Sequence, residues 1–88
     1  MSSCDLIFQR LQSLAARSLQ LNLSAEEIAT VTRLDEVAGL DSLTILEFVS
    51  AVEKEFGITF GASEMRADIL VDLPALAERI SRRLGGAC

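Results

Sequence analysis

Apolar residues recur at helical spacing in three separate stretches of this 88-residue chain. In the first, Ile7, Leu11 and Leu14 fall three or four residues apart, followed at the same spacing by the small Ser18, with Phe8, Ala15 and Leu19 widening the stripe. In the second, Leu46, Val49, Val52 and Phe56 line one face, with Ile45, Phe48 and Ala51 beside it. In the third, Leu73, Leu76, Ala77, Ile80 and Leu84 repeat the pattern. Such stripes mark helices that each bury one side. The chain is therefore expected to be all-α, a small bundle of three main helices.

Punctuation between the stripes sets the boundaries. The first helix is expected from about Asp5 to about Gln20, with Gln9, Arg10, Gln12, Ser13 and Arg17 on its polar side. A long connection follows, about Leu21 to Leu40. In it Ser24-Ala25-Glu26-Glu27 has the form of a capping box, and Ile28, Val31, Leu34 and Val37 can pin the loop to the core. Loops this long in small domains are commonly functional. The second helix begins at Asp41 or Ser42 and runs to about Phe56. Asp41 suits the N-cap and Gly57 the stop. Ser63 can cap a brief helix from Glu64 to about Asp68 or Ile69. Asp72 caps the last helix, Pro74 lies in its first turn, and Gly85-Gly86 ends it.

Composition narrows the function. Half of the residues are hydrophobic, enough for one packed core, so residues 1–88 are expected to form a single domain. The net charge of −5 leaves no basic footprint for nucleic acid or for an anionic membrane surface. No apolar run approaches ~18 residues, so no membrane insertion is expected. The first residues lack the form of a secretory signal, which makes a cytoplasmic protein the expectation. Cys4 and Cys88 are too few for a disulfide framework and lack metal spacing, so free thiols near frayed ends are expected. No EF-hand-like loop is present, and there is no histidine. A metal site is not expected.

The segment Ala38-Gly39-Leu40-Asp41-Ser42-Leu43-Thr44 places a serine where loop becomes helix. In isolation it can be read as a cap. A nucleophilic serine needs a base, and without histidine no nucleophile–base pair is visible. The glycine pattern of a nucleophile elbow is also missing. The chain is therefore expected not to be an enzyme. A serine that accepts a group is a different matter. At a helix N-terminus free N–H groups and the dipole favour a phosphodiester.

Gly39-Leu40-Asp41-Ser42-Leu43, then Glu47, then Glu53-Lys54-Glu55-Phe56-Gly57-Ile58, resembles the acyl carrier protein family over nearly the whole chain. The resemblance implies an acyl-carrier-like bundle of three main helices plus one short helix, with a long loop between the first and second. It implies that Ser42, flanked by Asp41 and Leu43, receives 4′-phosphopantetheine from coenzyme A through a phosphopantetheinyl transferase. The arm would carry an acyl intermediate between acyl-loading and acyl-transferring enzymes. These would dock on the second helix through Leu43, Thr44, Glu47, Ser50, Glu53 and Lys54. An acyl chain could lie among Ala51, Ile58, Phe60, Ile69, Leu70, Val71 and Leu73.

Thr44 and the Glu53-Lys54 pair make the second helix less acidic than is usual for fatty-acid carriers of this family. A specialised fatty-acid or lipid pathway is therefore the expectation. A polyketide carrier, an aminoacyl or peptidyl carrier, and an unmodified interaction module remain open. The initiating Met and the single-domain length suggest a free-standing monomer.

Overall fold

The computed structural model describes residues 3–36 and 41–86. Val37, Ala38, Gly39, Leu40 and Cys88 lie outside the described residues. The elements in chain order are α1 (Ser3–Ser18), α2 (Ala25–Ile28), α3 (Ser42–Phe56), α4 (Ala67–Leu70) and α5 (Leu73–Arg83). Two 3-10 turns, Leu34–Glu36 and Ala62–Glu64, complete them. The fold is all-α with three long helices, and a single antiparallel bridge, Arg33 to Asp72, is the β-type pairing among the described residues.

Helix α1 ends two residues sooner than its apolar pattern suggests. Leu21 N–H reaches back to the Ala16 carbonyl at 3.1 Å, and Gln20 takes φ 52°. This is the left-handed closing position that glycine normally fills. Glycine does fill it at the other two long helices: Gly57 (φ 66°) closes α3 and Gly85 (φ 78°) follows α5.

The three stripes pack into one core. Leu11, Leu34, Phe48, Val52, Leu73, Leu76 and Ile80 are fully buried in it. Three expected assignments change. Gln12, placed by pattern on the polar side of α1, is buried, and its amide donates to the carbonyls of Ala29 (3.0 Å) and Val31 (2.9 Å). Leu84 is exposed, because it caps α5 and does not extend its stripe. Leu46 is likewise exposed, since it sits to one side of the buried strip made by Phe48, Val49, Val52 and Phe56.

The long first connection is held as a packed loop. Ser24 and Glu27 form the expected capping box around α2. Further on, the buried Leu34 donates its N–H to Val71 (2.9 Å), and Leu73 donates to Thr32 (3.0 Å). Arg33 lies between these bonds, 3.5 Å from the Asp72 carboxylate and 3.0 Å from Asp35. The loop is thus tied to both α1 and the start of α5.

The expected short helix from Glu64 is displaced. Glu64 instead closes the 3-10 turn: its carboxylate accepts from Gly61 N–H at 3.0 Å and pairs with Arg83 and Arg79 of α5. The α-helical turn starts later, at Ala67. The expectation of free thiols is corrected as well, since Cys4 is disulfide-bonded.

Candidate functional site at the start of α3

Asp41 fixes the N-terminus of α3. Its backbone is extended (φ −119°, ψ −179°), and its carbonyl accepts the first helical bond, from Ile45 N–H at 3.0 Å. Its carboxylate accepts both the Thr44 N–H (2.9 Å) and the Thr44 hydroxyl (2.8 Å). These bonds favour the ionised form, so the carboxyl titrates below its usual range, with the Thr44 N–H the main cause and its hydroxyl the next. Ser42 is the first residue of the helix so framed. Its chain neighbours Asp41 and Leu43 are both exposed, and Leu43, at 66%, is the most exposed large apolar residue among those described.

Not every residue expected on the docking face shows its side chain to solvent. Leu43, Glu47, Ser50 and Lys54 do, at i, i+4, i+7 and i+11 along one side of α3. Thr44 is half-buried and engaged in the cap. Glu53 is half-buried too, and its carboxylate accepts the Phe60 N–H at 2.8 Å. It therefore anchors the chain that leaves α3 around Gly57. The exposed Leu46 joins this face, which the stripe pattern had assigned to the core. Only three-dimensional packing separates Leu46 from its buried neighbours.

Most of the residues considered for an acyl chain belong to the core or pack against it. Phe60, Leu70, Val71 and Leu73 are core residues, Ala51 and Ile58 pack against the core, and Ile69 is half-buried. Two surface cavities among the described residues are lined by other side chains. One of about 480 Å³ is lined by Leu6, Gln9, Arg10 and Glu55, and one of about 420 Å³ by Gln12, Ala16, Ile28 and Ala29.

The sequence profile described as the phosphopantetheine attachment site matches residues 9–80. The chain belongs to that family. The matched span covers α1 through most of α5 and has the α3 start within it. Two curated proteins are similar, each named acyl carrier protein. One, from Saccharopolyspora erythraea, is 39% identical over 59 residues, covering 67% of this chain and 60% of that protein. The other, from Onion yellows phytoplasma, is 39% identical over 61 residues, covering 69% of this chain and 78% of that protein. The chain thus spans less than two thirds of the first relative and more than three quarters of the second. No solved structure gives a significant match.

Members of this family are carriers and not enzymes, and the group they carry is covalently attached 4′-phosphopantetheine. The start of α3 suits such a group on chemical grounds. Its frame is held by the Asp41 cap, and the residues on either side of Ser42 are exposed. No helix among the described residues is long and apolar enough to cross a membrane.

Proposed function

We propose that Ser42 is the attachment residue and that the chain is an acyl carrier. Its cargo would pass between partner enzymes in a specialised fatty-acid or lipid pathway, in the cytoplasm, with residues 1–88 acting as one monomeric carrier domain. The observation that carries this reading is the Asp41 cap. It holds the first residue of α3 in a fixed frame at an exposed helix end, so a separate enzyme can reach it. The neighbouring positive end of the helix dipole favours the negative charge of a phosphodiester.

In the loading step the Ser42 hydroxyl oxygen forms the new phosphodiester bond. The transferase takes its proton, and the adenine nucleotide half of coenzyme A leaves. The attached arm ends in a thiol, which supplies the thioester chemistry that this chain's own side chains do not. Asp41 keeps the frame. Leu43, Glu47, Ser50 and Lys54 give partners an exposed face, while Thr44 and Glu53 hold that face in shape. Phe60, Leu70, Val71 and Leu73, with Ala51, Ile58 and Ile69 around them, form the apolar region nearest in character to an acyl chain.

The test is intact-protein mass after incubation with coenzyme A and a broad-specificity phosphopantetheinyl transferase. The chain is expected to gain one phosphopantetheine. Ser42→Ala is expected to gain none while keeping its helical circular dichroism, since Asp41 still caps α3. A chain that stays unmodified under conditions that load a control carrier would instead be an interaction module. Which synthetase charges the loaded chain then separates a fatty-acyl carrier from a polyketide or aminoacyl one.

A further inference from the structure

Helix α5 does not run straight out at its C-terminal end. Gly85 takes φ 78°, its N–H donates to the Arg82 carbonyl (3.1 Å), and the Gly86 N–H donates to the Ser81 carbonyl (2.8 Å). This pair of bonds is a Schellman closure, which turns the chain back after a helix. The turn brings Gly86 against Ser3, the first residue of α1. A β-carbon at Gly86 would lie 2.6 Å from the Ser3 hydroxyl oxygen and 2.9 Å from that of Ser81, which is fully buried. The seam between the two helix ends therefore needs no side chain at Gly86 and small ones at Ser3 and Ser81.

The residue after Ser3 is Cys4, which is held in a disulfide. The chain has one other cysteine, Cys88, two residues beyond Gly86. Two residues span at most about 7 Å, and a disulfide joins Cα atoms about 4.4–6.8 Å apart. A tail seated beside Ser3 at Gly86 is therefore within reach of Cys4. Cys4 also lines a cleft of about 270 Å³ with Asp5 and Phe8 of α1 and Pro74 and Ala77 of α5. A bond at Cys4 thus acts where α1 and α5 meet.

We infer that Cys4 and Cys88 form a reversible clasp, whose disulfide holds the tail of α5 on α1 under oxidising conditions and releases it under reducing ones. Closure is thiol–disulfide exchange with a small-molecule disulfide of the glutathione type. One cysteine thiolate attacks that disulfide and expels one thiol, and the second cysteine then expels the other. The two cysteines lose two electrons, the small disulfide gains them, and the two cysteine protons end on the released thiols. The ring so closed contains almost the whole chain, and long rings restrict the unfolded state most. Disulfides are rare in reducing compartments, so in the cytoplasm proposed above the clasp stays open until the redox state shifts. It does not depend on the role of Ser42.

The experiment equilibrates the full, unloaded chain in mixtures of reduced and oxidised glutathione, quenches with acid, alkylates the free thiols and weighs the intact protein. The chain is expected to pass from doubly alkylated to unalkylated as the mixture becomes oxidising, and to stay monomeric on a non-reducing gel. Digestion of the oxidised form should give the Cys4 peptide joined to the Cys88 peptide. The closed form is expected to melt about 10–20 °C above the open one. Hydrogen exchange at the Gly86 amide should be at least about tenfold faster in the open form. Cys88→Ser should melt like the open parent in either mixture. Gly86→Ala should disfavour closure about tenfold, because its β-carbon crowds Ser3 and Ser81. Disulfide-linked dimers would put the Cys4 bond between two copies and overturn the clasp. A chain that stays doubly alkylated in oxidised glutathione overturns it, and so do equal melting and equal Gly86 exchange in the two states.

Discussion

Gln12→Ala tests whether the long loop is held by the core or merely lies against it. The Gln12 amide donates two bonds, of 3.0 and 2.9 Å, to Ala29 and Val31. Each such bond has a net worth of about 1 kcal/mol. Val31 is half-buried and regains little water, while the exposed Ala29 carbonyl regains most of its own. Truncation also removes a buried methylene, worth about 0.8 kcal/mol. The expected loss is therefore about 2–3 kcal/mol. For a domain of this size that lowers Tm by roughly 10–20 °C, at about 4–8 °C per kcal/mol. Urea unfolding followed by circular dichroism gives the free energy, with Ser13→Ala on the exposed side of α1 as the control, expected within about 0.5 kcal/mol of the parent. Loading of the folded fraction should be unchanged, because the α3 cap does not involve Gln12. A loss of less than about 1 kcal/mol would mean that water replaces the amide and that Gln12 does not hold the loop to the core.

Three further outcomes are expected. Gln20→Gly should raise the unfolding free energy by about 0.5–1 kcal/mol in a denaturant titration, because φ 52° strains a side chain and suits glycine. Glu53→Ala should speed hydrogen exchange at the Phe60 amide, which loses its acceptor, and destabilise by about 1–2 kcal/mol. The pH dependence follows from Asp41 and Glu64, whose carboxyls are both held low, the first by the Thr44 N–H and hydroxyl, the second chiefly by the Gly61 N–H and then by Arg83. A carboxyl whose folded pKa is depressed contributes stability above its ordinary value of about 4 and loses it as pH falls through the folded value. Acid unfolding should therefore begin below about pH 4, and Asp41→Asn, which keeps a capping oxygen but cannot titrate, should show a flatter acid limb by circular dichroism.

The part of the fold written in local signals was legible in the sequence. Asp41, Gly57, Asp72 and the Ser24–Glu27 box each act within a few residues of themselves, so their chemistry fixes an element end without knowledge of the rest. Gln20 escaped notice because it is not a residue type that announces a left-handed turn. The displaced α4 depends on Glu64 meeting Arg79 and Arg83 from α5, a contact that no local pattern contains. Gln12 and Leu46 misled for a common reason. Each lies at the edge of a stripe, where polarity of the side chain does not decide which way the neighbouring elements close over it.

That edge ambiguity bears directly on the carrier's partners. Counted along the sequence, α3 has an acidic excess, and such a count favours a basic partner. Counted on the surface, the excess is smaller, since Glu55 is paired with Arg10 while Asp41, Glu47 and Glu53 still face the single Lys54, and Leu46 turns outward. Electrostatic steering acts on charge that remains exposed at the approach surface, and an acid already paired within its own chain adds little to the field there. Breaking the Arg10–Glu55 pair by Arg10→Met should therefore return one negative charge to the flank of α3. If the surface count governs recognition, loading by the same transferase should become measurably more salt-sensitive in that variant than in the parent. If the parent and Arg10→Met share one salt profile, the charge balance of α3 does not select its partner.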